Sequence, residues 1–174
     1  MPNLSIIDKI NSYALYNGNK ELLGIGEIEL PELATMTDTL KGAGIAGEID
    51  TPTVGQYQSA TFKITFNTMN NRSINLSSPT KKHFDARADA QSFNNITGEF
   101  EHLPIKIILE GIPKTMSLGK FNTAEKTETG LEYELLYMKM WINNEVVLEI
   151  DKFNFICKID GIDYLSEVRK NLGK

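Results

Sequence analysis

Apolar and polar residues alternate with a period of two along much of this chain, and no other sequence feature constrains the fold as strongly. In the segment 61–67 the apolar positions are Phe62, Ile64 and Phe66. Successive side chains of a β-strand point to opposite faces, so this pattern is typical of a strand with one buried face and one solvated face. The sequence therefore predicts a mainly β protein.

A second alternating segment runs from His83 to Phe93. Its apolar face is predicted to consist of Phe84, Ala86, Ala88 and Ala90. Its polar face is predicted to consist of Asp85, Arg87, Asp89 and Gln91. The next segment alternates up to Leu109, and Glu110-Gly111 is predicted to form a short turn into a partner strand that begins near Ile112.

The last third of the chain carries the strongest strand pattern, in two β-rich runs at 132–142 and 145–159. Asn143 and Asn144 separate these runs. Because asparagine tolerates positive φ, the pair is predicted to form a tight hairpin turn. The apolar residues change faces between Glu149 and Phe153, which predicts a bend or a bulge there.

One segment near the C-terminus has helical spacing instead, and we predict a helix over residues 163–172. Asp163 is a favourable N-cap residue, basic residues occupy the last turn, and Gly173 follows as a stop. The residues that define this helix are Asp163, Leu165, Glu167, Val168, Arg169 and Leu172. Its three apolar members are expected to pack on the β core.

Residues 30–58 also depart from the strand pattern and are predicted to form a long extended arm, which is too rich in glycine for a core element. The centre of the arm holds Lys41, Gly42, Gly44, Gly47 and Glu48. Its glycines match G-x-G-x-x-G, but that motif binds dinucleotides only where a buried strand precedes it and a helix follows. A proline and β-branched residues follow here, so we expect no nucleotide site.

The length and the net charge of the chain restrict the classes of function that it can have. A chain of 174 residues is long enough for one domain with a sizeable core, and we expect a single domain over 1–174. The formal net charge of −5 disfavours a protein whose role is to grip nucleic acid. No apolar run approaches the roughly 20 residues that span a bilayer, and the N-terminus lacks the features of a secretory signal. We therefore expect no membrane insertion.

Candidate catalytic and metal-binding residues are few. His83 and His102 are the two histidines, neither of them at a zinc-ligand spacing, and Cys157 is the single cysteine, expected to be a small buried residue. The carboxylate pairs Glu132 with Glu134 and Glu149 with Asp151 each share one strand face. Such a pair can act as acid and base, but the solvated side of a sheet is the favoured interpretation. No enzyme activity, cofactor or metal is predicted.

The C-terminal segment carries a family resemblance. Residues 141–151 have the sequence W-I-N-N-E-V-V-L-E-I-D, and I-D-G-I-D and L-S-E-V-R-K-N-L-G follow at 159–163 and 165–173. This run resembles the closing segment of the major tail tube proteins of P2-like contractile-tailed phages, in which an E-I-D strand is followed by x-G-V-D-x-L-A-E-x-R and a final L-G. Ser166 replaces the usual alanine and Lys174 the terminal apolar residue. Residues 40–47 also resemble the G-G-G-M-P-G stretch of that family.

The resemblance implies an antiparallel β-sandwich or barrel with a long hairpin arm and a C-terminal helix. It also implies that six copies form a ring and that rings stack into a hollow tube, with the arm of one ring reaching the next. The expected partners are further copies of this chain and the sheath, tape-measure, baseplate and tail terminator proteins. DNA is expected to pass through the tube without specific binding, in a virion tail assembled in the host cytoplasm.

A bore that passes DNA should not attract phosphate. Like charge on a channel wall repels phosphate over about a Debye length, roughly 8 to 10 Å. The candidate lumen face is the polar face formed by Asp85, Arg87, Asp89 and Gln91, and an outer or inter-subunit face is an equally open interpretation of it. Two alternatives to the phage tube remain at this stage. One is the tube of a contractile secretion system that passes effectors, and the other is a monomeric β-barrel that binds a small ligand.

Overall fold

The structure is a computed structural model that describes residues 5–18, 20–24 and 26–174. Twelve strands and two short helices make up its regular elements. The strands are β1 (Ser5–Asn17), β2 (Leu22–Leu23), β3 (Glu27–Glu29), β4 (Thr35–Lys41), β5 (Glu48–Tyr57), β6 (Thr61–Phe66), β7 (Lys82–Asn94), β8 (Glu99–Ser117), β9 (Thr129–Ile142), β10 (Glu145–Asp151), β11 (Ile156–Ile159) and β12 (Ile162–Asp163). The helices are α1 (Asn71–Leu76) and α2 (Ser166–Asn171).

All strand pairs are antiparallel, and ten of the strands form one sheet in the order β12-β11-β10-β9-β8-β7-β1-β2, with β6 and β3 joined at the side. Strand β9 is the branch point. Its first half, from Thr129 to Glu134, pairs with β6, and its second half, from Tyr137 to Ile142, pairs with β10. Because β6 and β10 occupy the same edge of β9, the sheet divides into two leaves with the core between them. The predicted mainly β, antiparallel fold with a C-terminal helix is confirmed.

The core is built from the apolar positions of the alternating segments. Phe62 and Phe84 are fully buried, and both contact Tyr133 of β9. The Phe62 and Tyr133 rings stack with centroids 5.1 Å apart, and Phe84 meets Tyr133 edge to face at 5.0 Å. The Tyr133 hydroxyl donates to the Leu76 carbonyl, which gives this buried polar group a partner. The period-two pattern therefore identified two of the three central aromatic residues.

The predicted turn at Glu110-Gly111 is wrong, because β8 continues through these residues to Ser117. The register between β8 and β9 shifts there, as in a β-bulge. A Cβ on Gly111 would lie 2.6 Å from the Glu134 carbonyl oxygen and 2.9 Å from the Phe62 ring. This glycine allows close packing of the strand against its neighbours and does not reverse the chain.

The sequence predicts a bend or a bulge between Glu149 and Phe153. The strand is interrupted there, but the chain reverses direction in a second hairpin instead of bending. Strand β10 ends at Asp151, and β11 returns antiparallel beside it. The Asp151 carboxylate accepts backbone N–H bonds from Phe153 at 3.0 Å and Asn154 at 2.9 Å, and Phe155 has a φ of 52°. The first hairpin joins β9 to β10 through Asn143 and Asn144, whose φ values are 52° and 65°.

Helix α2 begins at Ser166, with Leu165 at the N-cap position and no side-chain cap bond, so the prediction of Asp163 as N-cap is wrong. Asp163 lies in β12, paired with Lys158 of β11.

The sequence analysis missed α1, although Asn70 and Ser73 form a capping box at its start. Neither helix in the described part of the chain has the length and apolar character needed to cross a membrane.

Candidate assembly surfaces

The predicted extended arm is a β-hairpin. Strands β4 and β5 form a two-stranded sheet of their own, and all seven residues of β4 are exposed. At the tip, Lys41 lies opposite Glu48, with 3.6 Å between the ammonium and the carboxylate. Gly42, Gly44 and Gly47 all have positive φ, and added Cβ atoms would meet nothing within 4 Å. The backbone conformation of the tip, and not packing, is the reason for these glycines.

The arm also exposes apolar side chains. Leu40 and Ile49 are cross-strand partners next to the tip, and they are 52% and 54% exposed. Met36 and Val54 are exposed nearer the base. A two-stranded ribbon cannot bury these side chains by itself. The arm therefore has an exposed apolar surface, which is typical of a contact site.

The base of the arm is fixed to the C-terminal part of the chain. Gly55 of β5 has a φ of +72°, and a Cβ there would lie 2.8 Å from Leu165 and 3.3 Å from Cys157. The Tyr57 hydroxyl lies 3.9 Å from the Cys157 sulfur. Cys157 is buried, as predicted. The arm therefore leaves the body beside β11 and α2, and Leu165 covers its base.

The residues predicted for the C-terminal helix have separate roles in the structure. Leu165 is 4% exposed and Val168 is half-buried, but Leu172 is 56% exposed, so the expectation that Leu172 packs on the core is wrong. The Arg169 guanidinium binds the Asp163 carboxylate at 2.6 Å and the Phe155 carbonyl at 2.7 Å. The hydrogen bond from Arg169 lowers the pKa of Asp163 below its usual value. Glu167 stays exposed.

We expect Leu165→Ala to lower the free energy of unfolding by about 2 to 5 kcal/mol, because it opens a cavity over Gly55 and Cys157 at the base of the arm. Denaturant unfolding measures this loss. The matched control is Leu172→Ala on the same helix, for which we expect a change within about 0.5 kcal/mol because the side chain is exposed. Equal effects of the two substitutions would contradict the assignment.

The polar positions of β7 belong to a charged surface that extends across the sheet, here called the polar sheet face. The cross-strand register places its side chains on one side of β7 to β11. Its charged members are Asp85, Arg87, Asp89, Lys106, Lys139, Glu149 and Lys158. All four predicted lumen residues have side-chain partners: Asp85 binds Arg87 and Lys106, Asp89 binds His102, and the Gln91 amide donates to Asp8 at 3.4 Å.

Each cation of the polar sheet face has an acidic partner. Asp85 binds Arg87 at 2.8 Å and Lys106 at 3.8 Å. Glu149 accepts from the Tyr137 hydroxyl at 3.1 Å and lies 3.3 Å from Lys139 and 3.9 Å from Lys158. The ring of Trp141 lies under the ammonium groups of Lys106 and Lys139, at 4.8 and 5.3 Å. Asp85 and Glu149 are each shared by two cations, so the face is a connected network of ion pairs.

Both histidines are bound to carboxylates. His83 lies 3.0 Å from Glu110, which also binds Lys81 at 2.6 Å. Burial alone would raise the pKa of Glu110, but these two hydrogen bonds outweigh it and lower the pKa. His102 lies 2.8 Å from Asp89. Within the described residues, no three or more His, Cys, Asp or Glu side chains are grouped so as to hold a metal ion.

Two of the four carboxylates that were considered for acid–base chemistry, Glu134 and Glu149, are held by cations. Glu134 accepts from the Ser59 hydroxyl at 2.8 Å and lies 3.6 Å from Lys114 and 3.7 Å from Lys152. Burial alone would raise the pKa of Glu134, but these partners outweigh it and lower the pKa. A general acid needs a raised pKa, so this environment favours a structural ion pair.

The sequence analysis missed an open apolar groove, of about 940 Å³, between β1 and the loop after β2. Residues that line it include Ile10, Tyr13, Leu22, Leu30, Ala88 and Ile142. The β1 sequence does not predict this groove, because register shifts after Ile7 and Ile10 interrupt the period-two alternation. The groove also combines residues from strands that are far apart in sequence.

The sequence of the chain matches the model of the family described as phage tail tube protein FII, and the match covers residues 7–173. The chain belongs to this family. The predicted resemblance to tail tube proteins of P2-like phages is therefore confirmed. A match of this extent includes the arm, the polar sheet face and α2, so all three surfaces are parts of a tail tube fold.

Individual relatives agree with the family assignment. The tail tube protein of Escherichia phage P2 is 27% identical over 73 residues, a region that spans 42% of this chain and 42% of the length of the P2 protein. A chain in the cryo-EM structure of the sheath/tube terminator of an extracellular contractile injection system (PVC) shares the fold. It has a TM-score of 0.52 and 14% identity, and the alignment covers 75% of this chain and 94% of that one.

Proposed function

We propose that this chain is the structural subunit of the inner tail tube of a contractile phage tail or a phage-tail-like particle. Residues 1–174 act as one tail-tube domain, six copies form a ring, and the rings stack into a hollow tube that conducts DNA. The observation that carries this proposal is the family match over residues 7–173. The role is structural and requires no catalytic group.

The subunit also has the surfaces that such an assembly needs. Among the described residues, β1 pairs with β2 only at Leu15 and Tyr16, so most of its outer edge is free. An uncovered strand edge invites pairing with another chain, and closure into a ring covers it. The arm, through Lys41, Gly42, Gly44, Gly47 and Glu48, reaches the adjacent ring.

The remaining partners follow from the proposed role. The sheath contacts the outside of the tube, and the tape-measure, baseplate and tail terminator proteins contact its interior or its ends. The tube is part of the virion and is assembled in the cytoplasm of the bacterial host. The Asp85, Arg87, Asp89 and Gln91 face lines the bore, where its one cation, Arg87, is paired with Asp85 and so is not free to hold a phosphate.

Electron microscopy of the purified protein tests this proposal. We expect rings with six-fold symmetry and tubes with a central channel when the protein is concentrated. A protein that stays monomeric under all conditions and binds a small apolar molecule in the groove beside β1 would support a ligand-binding barrel instead. Tubes that carry protein cargo rather than DNA in their native particle would support the secretion-system alternative.

A further inference from the structure

The two ends of strand β8 both lie next to exposed apolar side chains. The β7–β8 turn precedes its first residue, Glu99, and the loop 118–128 follows its last residue, Ser117. A strand of 19 residues is about 60 Å long, because each residue of a strand adds about 3.3 Å. Side chains at one end therefore cannot reach the other end of the same subunit, and a contact between the two ends joins two copies of the chain.

At the first end, β1, β7 and β8 project beyond the rest of the sheet as a three-stranded segment, here called the tongue (residues 5–9 and 91–103). The ladder between β8 and β9 stops at the pair of Ile105 with Ile142, so β9 does not extend beside the tongue. Ile96 in the turn and Phe100 on β8 are 67% and 64% exposed. The tongue therefore ends in apolar side chains that its own subunit does not cover.

The tip of the tongue is fixed in shape. The Asn94 side-chain oxygen accepts backbone N–H bonds from Ile96 at 3.0 Å and from Thr97 at 3.3 Å. The centroids of the Phe93 and Phe100 rings lie 5.2 Å apart. Ile96 and Phe100 are thus held in place before any partner binds, which lowers the entropy cost of a contact.

At the second end, the loop after β8 holds Phe121, which is 86% exposed. The Thr127 N–H donates to the Asn67 carbonyl at 2.9 Å, and the Lys120 N–H donates to the Thr127 carbonyl at 3.1 Å. A Cβ on Gly119 would lie 1.8 Å from that same carbonyl oxygen. The base of the loop is therefore closed tightly against the body, and Phe121 is exposed on a fixed support. An exposed aromatic side chain of this kind is typical of a contact site.

Two lysines of this loop have no acidic partner in their own subunit. Lys120 and Lys126 are exposed, and no ion pair within the described residues includes either of them. The acids of the loop, Glu125 and Glu128, form no ion pair with these lysines, and the Asn122 amide binds Glu125 at 2.7 Å. The two ammonium groups are therefore available to carboxylates of another subunit.

The tongue supplies such carboxylates. Glu99 and Glu101 are exposed on β8, and neither forms an ion pair within the part of the chain that the structure describes. Glu101 accepts a hydrogen bond from the Asn94 amide at 2.9 Å. Complementary charges favour one orientation of two surfaces over others more than they add affinity. The charges thus favour contact of the loop with the tongue over contact of either end with its own kind.

From these observations we infer that the loop after β8 of one subunit docks on the tongue of a second copy of this chain in the adjacent ring. Phe121 packs against Ile96 and Phe100, and Lys120 and Lys126 face the two carboxylates of the tongue. This inference rests on the proposed function, because it places the contact between stacked rings, and it uses neither the arm nor the edge of β1. The contact joins unlike surfaces, so it repeats from ring to ring.

Disulfide cross-linking within one variant tests this contact. A chain that carries Phe121→Cys with Ile96→Cys, and another that carries Phe121→Cys with Phe100→Cys, are assembled into tubes and oxidised mildly. The two added thiols of one subunit are too far apart to join, so every disulfide between them links two subunits. We expect at least one pair to give a ladder of trimers and longer chains on denaturing gels without reductant, and dispersed subunits to give none. Each single cysteine variant should give no species beyond a dimer.

Charge reversal tests the same contact with Phe121 unchanged. Lys120→Glu with Lys126→Glu, and separately Glu99→Lys with Glu101→Lys, should each fold normally but shorten the tubes seen by electron microscopy at least several-fold at low salt. The variant with all four substitutions restores the ion pairs with their signs exchanged. Its tubes should recover the wild-type length.

A matched control separates this contact from net charge. Lys170→Glu with Lys174→Glu, in and after α2, changes the net charge as much as the reversal of the two loop lysines and should leave tube length unchanged. Tubes that form without a ladder from either cysteine pair, or a four-substitution variant that stays as short as the two reversals, would overturn this inference and leave the proposed function intact. Wild-type protein that forms no tubes would instead count against the function.

Discussion

Deletion of residues 41–48 is expected to abolish tube elongation and to leave a folded subunit. The deleted segment contains the three glycines of the arm tip and makes no contribution to the core. Fixing a backbone residue costs about 1 to 2 kcal/mol, so the tip should be ordered firmly only where contacts with a neighbouring subunit offset that cost. Without the tip, the neighbouring subunit loses its contact and the next ring cannot be held.

The deletion is tested with two measurements on the same preparation. Circular dichroism and thermal unfolding should match the wild type, and electron microscopy should show single rings or dispersed subunits. The matched control is the double substitution Ala43→Ser with Ala46→Ser, which keeps the length, glycines and charges of the tip and should give normal tubes. Normal tubes from the deletion variant would refute a role for the arm between rings.

Lysines placed on the proposed lumen face are expected to make the tube bind and retain DNA, which the wild-type tube should not bind. Asp89→Lys combined with Gln91→Lys is the suitable variant, because both positions lie on the polar face of β7. Asp85 should be left unchanged, since it binds both Arg87 and Lys106 and its loss would leave two cations unpaired. Each cation without a partner on a channel wall attracts phosphate.

DNA binding is measured by mixing purified tubes with short duplex DNA and then sedimenting the tubes. The variant should assemble normally and carry DNA into the pellet at low salt, with release at high salt as screening shortens the range of attraction. Asp89→Asn is the control, because it removes the acid without adding a cation. DNA retention by wild-type tubes, or a predominantly basic bore in a structure of the assembled tube, would refute the prediction and shift weight toward an effector-conducting tube.

The sequence was most informative where structure depends on neighbours along the chain. The alternation in β6 and β7 identified Phe62 and Phe84 as core residues, because the side-chain direction of a strand repeats every two residues. The resemblance at residues 141–173 indicates the family from sequence alone, and the family model confirms it.

The errors occurred where a residue's role is set by groups far away in sequence. Gly111 resembles a turn glycine, but its small size is required by Glu134 and Phe62 across the sheet. Asp163 resembles an N-cap, but it is held by β-sheet pairing with Lys158 and by the Arg169 guanidinium. Local chemistry at these positions fits two roles equally well, and only long-range packing selects one.

The sequence is sufficient to predict that this chain is mainly β, that it carries a glycine-rich arm and that it resembles tail tube proteins. The three-dimensional structure is needed to show that the arm is a hairpin fixed at Gly55 by Leu165, and that Ile10, Leu22 and Ile142 line one groove. The physical reason is that propensity and periodicity act over a few residues. Strand pairing, in contrast, joins segments far apart in sequence, such as Ser5 with Asn94, through backbone bonds that carry no sequence signal.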